Sequence, residues 1–353
     1  KKAFSAAEIN MDITSACKIG DFETDISFVQ RNVKLITDDS IEMLLPVLAK
    51  PIVQKIIDGA VLVVDTATIV DPKAKSFGTK LKGKIFNSGP FNAEIKFPDG
   101  LQVSWNGKVL GQIAMPDIHL KADVGADIGV QAQFAVADTD ALTDFTKFLV
   151  TQPSFVWSIN SDNIEVSAIG ITVGGLSINK NVILTGLNNL KNDVTITKYD
   201  LPSNDPKGGI HLVADSVVIN PSQIGVELSQ FGINVISNGT VIGPANAQSS
   251  FTLQPLSKTS LPLVGRLVHQ DSSEGLAVLS HIFTEVVHGK EVPIGVKGDY
   301  AGPSEVTWLN EGIKALNTKT KLPAMHFNVI QAIKLKQLTL DFTEKNSAWA
   351  PIT

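Results

Sequence analysis

The hexapeptide Asn106-Gly107-Lys108-Val109-Leu110-Gly111 recurs 132 positions later as Asn238-Gly239-Thr240-Val241-Ile242-Gly243, with four of the six residues identical. Asn-Gly is the dipeptide that best tolerates the two positive-φ positions of a tight hairpin turn. Alternating apolar residues flank both copies, so each hexapeptide predicts a β-hairpin. The common spacing predicts an internal repeat.

The segments around the two hexapeptides agree in kind and order. Alternating strands precede each copy: Leu81–Phe86, Phe91–Phe97 and Leu101–Trp105 in the first, and Ile210–Ile219, Ile224–Leu228 and Phe231–Ile236 in the second. A Pro-marked strand and one amphipathic helix follow in both, with helices predicted near 138–150 and 273–288. The apolar residues of these helices are expected to be buried, notably Phe145, Leu149 and Ile282 or Phe283.

A second repeated element is an alternating strand followed by proline, present at Val61–Ile69, Val194–Tyr199 and Leu335–Phe342. Three copies predict two complete units and the opening of a third. We therefore predict four regions. Residues 1–57 are an N-terminal lead-in or the tail of an earlier repeat, with a helix from Asp39 to Lys50. Residues 58–191 and 192–330 are the first and second β-sandwich repeats, and residues 331–353 are the opening strand of an incomplete third repeat or a connector.

The predicted fold class is mainly β. Each unit has many short strands but one main helix, whereas a parallel sheet needs a crossover connection at every strand. The prediction is therefore tandem antiparallel β-sandwiches of the fibronectin or immunoglobulin kind, each with one packed helix. The units diverge after that helix, since the first contains Gly174-Gly175 between strands and the second has a helical pattern in Ser304–Leu316.

Composition excludes several classes of protein. The 353 residues are 43% hydrophobic and 18% charged, with a formal net charge of −5, which argues against disorder and against general electrostatic binding of nucleic acid.

Cys17 is the sole cysteine, so no intramolecular disulfide can form. No apolar run is long enough for a membrane span. The sequence begins Lys-Lys-Ala-Phe, and we expect any leader or anchor to lie outside it.

Two groups of residues carry a resemblance to known families. The run Pro51-Ile52-Val53-Gln54, followed by Val61–Pro72 and Asn87-Ser88-Gly89-Pro90, resembles a fungal family of uncharacterised domains. Members of that family are mostly predicted secretory, cell-surface or vacuolar-membrane proteins. The resemblance implies a lumenal or extracellular chain.

The segment Val217–Ser222, with Val226-Glu227-Leu228 and Asn238-Gly239, resembles the type 2 late-embryogenesis-abundant (water-stress) domain, which is a small fibronectin-like β-sandwich. Together the two resemblances cover roughly residues 50–350 as a loose structural pattern. They imply a tandem β-sandwich array and no catalytic residues.

The chain carries no recognisable catalytic, nucleotide-binding or zinc-binding motif, so we predict no enzyme activity, no cofactor and no metal site. Two sets of side chains have spacings that metal ligands can adopt: His281, Glu285 and His288 on one helix face, and Asp117, Asp123 and Asp127 on an extended stretch. For both sets the simpler interpretation is a solvated surface.

Two further features concern carbohydrate. Asn238-Gly239-Thr240 is a sequon for N-glycosylation, and a hairpin tip is exposed, so Asn238 is the candidate glycan site. It competes with the interpretation of Asn238 as a plain turn residue, because Asn106 has the same position without a sequon. Exposed tryptophans would be sugar platforms, and the candidates are Trp105, Trp157, Trp308 and Trp349.

Three functions follow as hypotheses. The first is a non-enzymatic structural or interaction ectodomain, extracellular, at the cell surface or in the vacuolar lumen. The alternative is a lipid or other apolar-ligand binder, since the hydrophobic content and the helix at each sandwich end could frame a pocket. The third is a carbohydrate-active protein. The expected partners are proteins or further copies bound through sheet edges, or a lipid, with no nucleic acid and with membrane contact only through an anchor outside this sequence.

Overall fold

The computed structural model describes residues 8–34 and 39–324, and the fold is mainly β. The strands are β1 (Glu8–Ile19), β2 (Phe22–Lys34), β3 (Val61–Val70), β4 (Ser76–Phe86), β5 (Ala93–Lys96), β6 (Leu101–Trp105), β7 (Lys108–Ala114), β8 (Ile118–Leu120), β9 (Ala126–Val136), β10 (Ser154–Ala168), β11 (Ile171–Thr185), β12 (Val194–Asp200), β13 (Ile210–Ile219), β14 (Ile224–Leu228), β15 (Gln230–Ser237), β16 (Thr240–Ala247), β17 (Phe251–Leu253), β18 (Lys258–Leu267), β19 (Val292–Gly302) and β20 (Asn317–Leu322).

The helices are α1 (Asp39–Gly59), α2 (Thr139–Thr151), α3 (Ser273–Val287) and α4 (Thr307–Lys314). Among the described helices, none is both long and apolar enough to span a membrane. The predicted strand Leu335–Phe342, and with it the region 331–353, lies outside the described residues.

The two predicted repeats share one strand order. It is β3-β4-β9-β7-β6-β10-β11 in the first and β12-β13-β18-β16-β15-β19-β20 in the second, so each strand has its counterpart nine strands earlier in the chain. The antiparallel pair β5–β8, whose strands lie on either side of the β6–β7 hairpin in the chain, likewise corresponds to the pair β14–β17 on either side of β15–β16. This shared topology supports an internal repeat on grounds independent of the hexapeptides. The boundaries 58–191 and 192–330 stay a prediction.

The two Asn-Gly turns lie at equivalent places. Asn106-Gly107 joins β6 to β7 with φ values of 48° and 76°, and Asn238-Gly239 joins β15 to β16 with 45° and 81°. Both hairpins also have an irregularity in register close to the turn. The hairpins inferred from the hexapeptides are thus present in the structure.

The larger sheet has 11 strands and is mixed, because β14 of the second repeat pairs with β3 of the first in parallel. Ile224 lies opposite Ala67, and Val226 lies opposite Ile69. Every other pairing among the described strands is antiparallel, so the expectation of purely antiparallel sheets is wrong at this pair. In the first repeat, the 15-residue β10 pairs with β5 of the pair β5–β8, whereas its counterpart β19 has 11 residues and does not pair with β14. The pair β14–β17 extends the sheet of the preceding repeat instead.

The smaller sheet has seven antiparallel strands and is nearly closed into a barrel. The Thr320 hydroxyl of β20 donates to the Val194 carbonyl of β12 at 2.8 Å, which brings the first and last strands together. Helix α3 packs against this sheet with Ile282 and Val286 buried and Phe283 half-buried. The apolar face predicted for 273–288 therefore meets the core as expected.

Helix α2 confirms the helix predicted near 138–150. The Asp138 carboxylate accepts hydrogen bonds from the backbone N–H groups of Asp140 and Ala141, which caps the first turn. Phe145 and Leu149 are buried, as predicted. Helix α4 likewise lies within the helical pattern recognised in Ser304–Leu316.

Helix α1 is longer than predicted. The sequence predicts a helix from Asp39 to Lys50, yet the helix continues to Gly59. The Gln54 amide bonds both backbone groups of Ser177 in β11, and Ile57 is buried, so tertiary contacts hold the additional turns. Before this helix, β1 and β2 form a separate two-stranded sheet.

Candidate functional site

The junction between the two repeats is centred on Trp308 of α4, which is fully buried. Its ring centroid lies 5.4 Å from that of Phe77 in β4, and its indole Nε1 donates to the Lys73 carbonyl at 3.1 Å. The Trp308 carbonyl accepts a 2.7 Å hydrogen bond from the hydroxyl of Thr146 in α2. One residue of the second repeat is thus bound to two elements of the first.

Close packing and further hydrogen bonds extend this junction. A Cβ atom on Gly312 of α4 would lie only 3.0 Å from the Cβ of Thr146, so a larger residue there would require Thr146 to shift by a few tenths of an ångström. The Asn189 side chain accepts from the backbone N–H of Asn317, and the Thr318 hydroxyl donates to the Leu190 carbonyl. With the β14–β3 pairing, these contacts join the repeats through one continuous apolar core.

Each repeat also encloses an apolar cavity. The first-repeat cavity measures about 150 Å³ and lies between the last turns of α1 and strands that include β3, β5, β10 and β11. The second-repeat cavity measures about 90 Å³ and lies inside the seven-stranded sheet beneath α3. The volume of the first-repeat cavity is of the order at which an apolar cavity accepts a benzene-sized molecule, and the second-repeat cavity is smaller.

Among the described residues, three buried side-chain polar atoms have no hydrogen-bond partner in the protein: Ser88 Oγ, Trp157 Nε1 and Tyr199 Oη. Ser88 and Trp157 both line the first-repeat cavity, and Tyr199 lines the second. Burial raises the pKa of the Tyr199 hydroxyl. Native proteins seldom leave buried polar groups unpaired, so these three atoms are unusual, although they contribute almost no accessible surface to either cavity.

The glycosylation candidate Asn238 lies at the tip of the β15–β16 hairpin with an exposed side chain. Its positive φ of 45° is the conformation that the turn requires. The position is accessible, and whether it carries a glycan stays a prediction.

Three of the four carboxylates among the metal-ligand candidates lie close to a lysine. Glu285 pairs with Lys290 at 3.1 Å, and this hydrogen bond lowers the pKa of the Glu285 carboxyl. Asp117 and Asp127 each approach a different lysine, at 3.9 and 4.0 Å. Within residues 8–34 and 39–324, no three His, Cys, Asp or Glu side chains form a group that could hold a metal ion.

The tryptophans proposed as sugar platforms lie mostly in the core. Trp308 is fully buried, and Trp105 is 8% exposed and packs against Phe145 and Phe148 of α2. Trp157 is partly buried between Phe145 and Phe155. Trp349 lies outside the described residues. Trp105 and Trp308 therefore pack the core and present no ring to solvent.

A polar cluster closes the loop between β12 and β13. The Lys207 backbone N–H donates to the Asp205 carboxylate at 2.8 Å, and the His211 ring nitrogen lies 3.3 Å from the other carboxylate oxygen. The Lys207 hydrogen bond lowers the pKa of the Asp205 carboxyl, with smaller contributions from His211 and Arg266, while burial opposes the shift. Arg266 also binds the carbonyls of Lys207 and Gly208, so the cluster fixes this loop.

The sequence does not predict the junction. Trp308 and its partner Lys73 lie 235 positions apart, and no local pattern connects them. The sequence suggests a pocket beside the helix of each repeat. The second-repeat cavity lies beneath α3, whereas the first-repeat cavity lies beside α1 and not beside α2.

Together these features define a mainly β protein with two sheets of equal strand order. Residues 108–235 match the family described as protein of unknown function (DUF3712). This match begins just after the Asn106-Gly107 turn and ends just before Asn238-Gly239, so it covers nearly one repeat period across the predicted boundary.

No curated protein matches the chain. Among solved structures, Escherichia coli alpha-2-macroglobulin activated by porcine elastase is similar at 9% identity and a TM-score of 0.17, over 86% of this chain and 25% of that one. This chain therefore spans a quarter of that protein's length, and a likeness at this TM-score supports no conclusion about fold or function.

Proposed function

We propose that the chain is a non-enzymatic structural and interaction module, in which tandem β-sandwich units of the fibronectin-like kind form a rigid spacer. The observation that carries this proposal is the junction, where β14 extends the sheet of the preceding repeat and Trp308 is buried against Phe77. Domains of one chain move relative to each other unless their interface is large and hydrophobic. A shared sheet and a shared core meet that condition.

The same geometry suggests how the module binds a partner. Strand β12 is the counterpart of β3, and both have a bulge at the same place, so Tyr199 to Leu201 correspond to Ala67 to Ile69. In the described part of the chain, β12 pairs in a ladder with β13 alone, and Thr320 of β20 binds the Val194 carbonyl at the first residue of β12. An open edge can accept a further strand, so the end of β12 from Lys198 to Asp200, away from that contact, is the edge at which we propose association with another copy or protein. Sedimentation velocity over a range of concentrations tests self-association, and a monomer throughout contradicts it.

We place the module outside the cell, at the cell surface or in the vacuolar lumen, as a glycoprotein of a fungal type. The exposed sequon at Asn238 supports this assignment. Expression through a secretory host should give a glycan that an endoglycosidase removes. Thr240→Ala destroys the sequon and keeps the Asn-Gly turn, so it should abolish that mass shift without changing the fold. An unmodified Asn238 in the parent chain would contradict the assignment.

The rigid spacer is tested by a spin-label distance measurement. In a Cys17→Ser background, Asp127→Cys in β9 and Lys198→Cys in β12 place one exposed label on each sheet. The distance distribution should be as narrow as that of a reference pair within the first repeat, Asp127→Cys with Lys80→Cys. Trp308→Ala should broaden the inter-repeat distribution and leave the reference pair unchanged. A broad inter-repeat distribution in the parent chain would overturn the proposal.

A further inference from the structure

The surface of the first-repeat cavity is apolar almost throughout. Aliphatic and aromatic side chains form most of its wall, including those of Ile95, Val103 and Ile164. Ser88 and Trp157 also line it, but the Ser88 Oγ and Trp157 Nε1 atoms are buried and add almost no accessible surface. Among the described residues, the wall therefore offers hardly any hydrogen-bonding group to a molecule inside the cavity.

Such a wall is a poor site for water. A buried water usually makes about three hydrogen bonds, and this wall provides almost none, so the cavity is expected to stay dry. An empty cavity destabilises the folded protein in proportion to its volume. A hydrocarbon that filled the space would make the van der Waals contacts that the empty cavity lacks. The wall therefore favours one chemical class, a molecule or group without polar atoms.

The cavity approaches the protein surface beside the end of α1. Val61 and Phe91 line it and are 40% and 46% exposed, whereas Ile164, which also lines it, is 1% exposed. Lys180 belongs to the same wall, and its ammonium group donates to the Asp58 carbonyl of α1 at 2.7 Å. Because the wall runs from fully buried to half-exposed side chains, an apolar ligand can enter at the exposed end.

We propose that the first-repeat cavity binds an uncharged hydrocarbon group of about six to eight carbon atoms. Its volume of about 150 Å³ matches that of an apolar cavity that holds benzene. The group is either a free small hydrocarbon or the end of a longer chain whose polar end stays in solvent beside Val61 and Phe91. Both sources place the same apolar group against the same wall. This binding function is separate from the rigid spacer and does not depend on it.

The second-repeat cavity provides an internal comparison. It is also lined mainly by apolar side chains, but it measures only about 90 Å³, well below the volume that accepts benzene. One probe of benzene size should therefore occupy the first-repeat cavity and leave the second empty. Volume, and not apolar character alone, then decides which repeat binds the ligand.

The first experiment titrates the full chain, labelled with ¹³C at the isoleucine δ1 methyl groups, with toluene and with phenol. The two probes have the same ring and nearly the same size, but phenol has a hydroxyl group that must give up its hydrogen bonds to water on entering the cavity. Toluene should bind roughly 5- to 150-fold more tightly, the equivalent of one buried and unpaired polar group. Its ring should shift the methyl signals of Ile95 and Ile164. The signals of Ile242 and Ile294, which line the second-repeat cavity, should stay in place.

A second titration distinguishes the two sources of the hydrocarbon group. Octyl glucoside, used below the concentration at which it forms micelles, has an eight-carbon chain and an uncharged polar head too large for the cavity. If it shifts the same methyl signals and competes with toluene, the end of a longer chain is a ligand. If toluene alone binds, the ligand is a free small hydrocarbon.

Variants at the cavity walls show which cavity is occupied. Ala93→Leu adds volume to the wall of the first-repeat cavity and should abolish toluene binding without lowering the melting temperature of the ligand-free chain. Ala214→Leu is the matched control, since it makes the same change in the wall of the second-repeat cavity and should keep the toluene affinity. Val103→Ile adds a single methylene group to the first wall and should weaken toluene binding with less risk to folding.

The proposal is overturned if toluene does not bind, if it shifts neither the Ile95 nor the Ile164 methyl signal, or if phenol binds as tightly as toluene. A folded Ala93→Leu chain with the toluene affinity of the parent would also overturn it. The comparison of toluene with phenol uses the parent chain alone, so it stands even if a variant fails to fold.

Discussion

Replacement of Trp308 by alanine should lower the free energy of unfolding and allow the two repeats to unfold independently. Truncation of a buried tryptophan to alanine costs about 3–5 kcal/mol through lost burial and a residual cavity. The indole bond to the Lys73 carbonyl adds about 0.5–1.5 kcal/mol. We therefore expect a total loss of roughly 4–6 kcal/mol. That loss falls on the contact between repeats, because Trp308 bridges α4 and β4.

Equilibrium unfolding in denaturant, followed by two probes, measures this effect. Trp105 and Trp157 both belong to the first repeat, so in a Trp349→Phe background the fluorescence of the Trp308→Ala chain reports that repeat. Far-ultraviolet circular dichroism reports the whole chain. In the parent the two curves should coincide, as they do for cooperative unfolding, and in Trp308→Ala they should separate.

Trp308→Phe is the matched control, since it keeps a ring against Phe77 and loses the indole bond. Its cost should lie well below that of alanine. Lys198→Ala, at an exposed position of β12, should stay within about 0.5 kcal/mol of the parent. Coincident curves for Trp308→Ala, with a loss below about 1 kcal/mol, would show that Trp308 does not couple the repeats.

Three further predictions concern the repeats themselves. Phe145→Ala should lower the unfolding free energy by about 3–5 kcal/mol in a denaturant titration, because the ring is buried beneath α2; an unchanged midpoint would contradict this. Gly107→Ala should destabilise the folded protein by about 1–2 kcal/mol, because Gly107 has a φ of 76°. Gly129→Ala in β9 is the control and should be neutral or stabilising, because Gly129 has open space around it and no positive φ. Equal melting temperatures for the two variants would refute the turn assignment. The Asp205 carboxyl has a lowered pKa, so its contribution to stability is complete above the unfolded pKa of 3.8 and disappears as pH falls through the lower folded value. Asp205→Asn should therefore flatten the fall in Tm on acidification below about pH 4, and a parallel curve would contradict the shift.

Local patterns predicted most elements of the fold. The Asn-Gly turns identified both hairpins, and the spacing of Leu142, Phe145 and Leu149 located α2 to within one residue. These signals are local, because turn geometry and helix periodicity are properties of a few consecutive residues. The matching order of elements in the two repeats was also visible, since each copy carries the same local signals.

The remaining features depend on residues far apart in sequence. Nothing in Ile224–Leu228 indicates that this strand pairs with β3 instead of a strand of its own repeat, because the partner strand lies in the preceding repeat, far away in sequence. The helix predicted to end at Lys50 continues to Gly59, where Gln54 and Ile57 make tertiary contacts that no local pattern indicates. The pocket around Trp157 requires the packing of α1, β5, β10 and β11 to be known together.

The pairing of β14 with β3 cannot form until β14 has been synthesised, which affects folding during translation. Glu227 of β14, which binds the Asp71 backbone at the end of β3, is synthesised 156 positions after that residue. At about 5–20 residues per second, the outer edge of β3 stays uncovered on the nascent chain for roughly 8–30 s. During that interval the first repeat offers an open strand to any neighbouring chain. We therefore expect slow elongation, or premature termination before residue 224, to produce aggregates in which the first repeat is folded but its edge is paired with the wrong molecule.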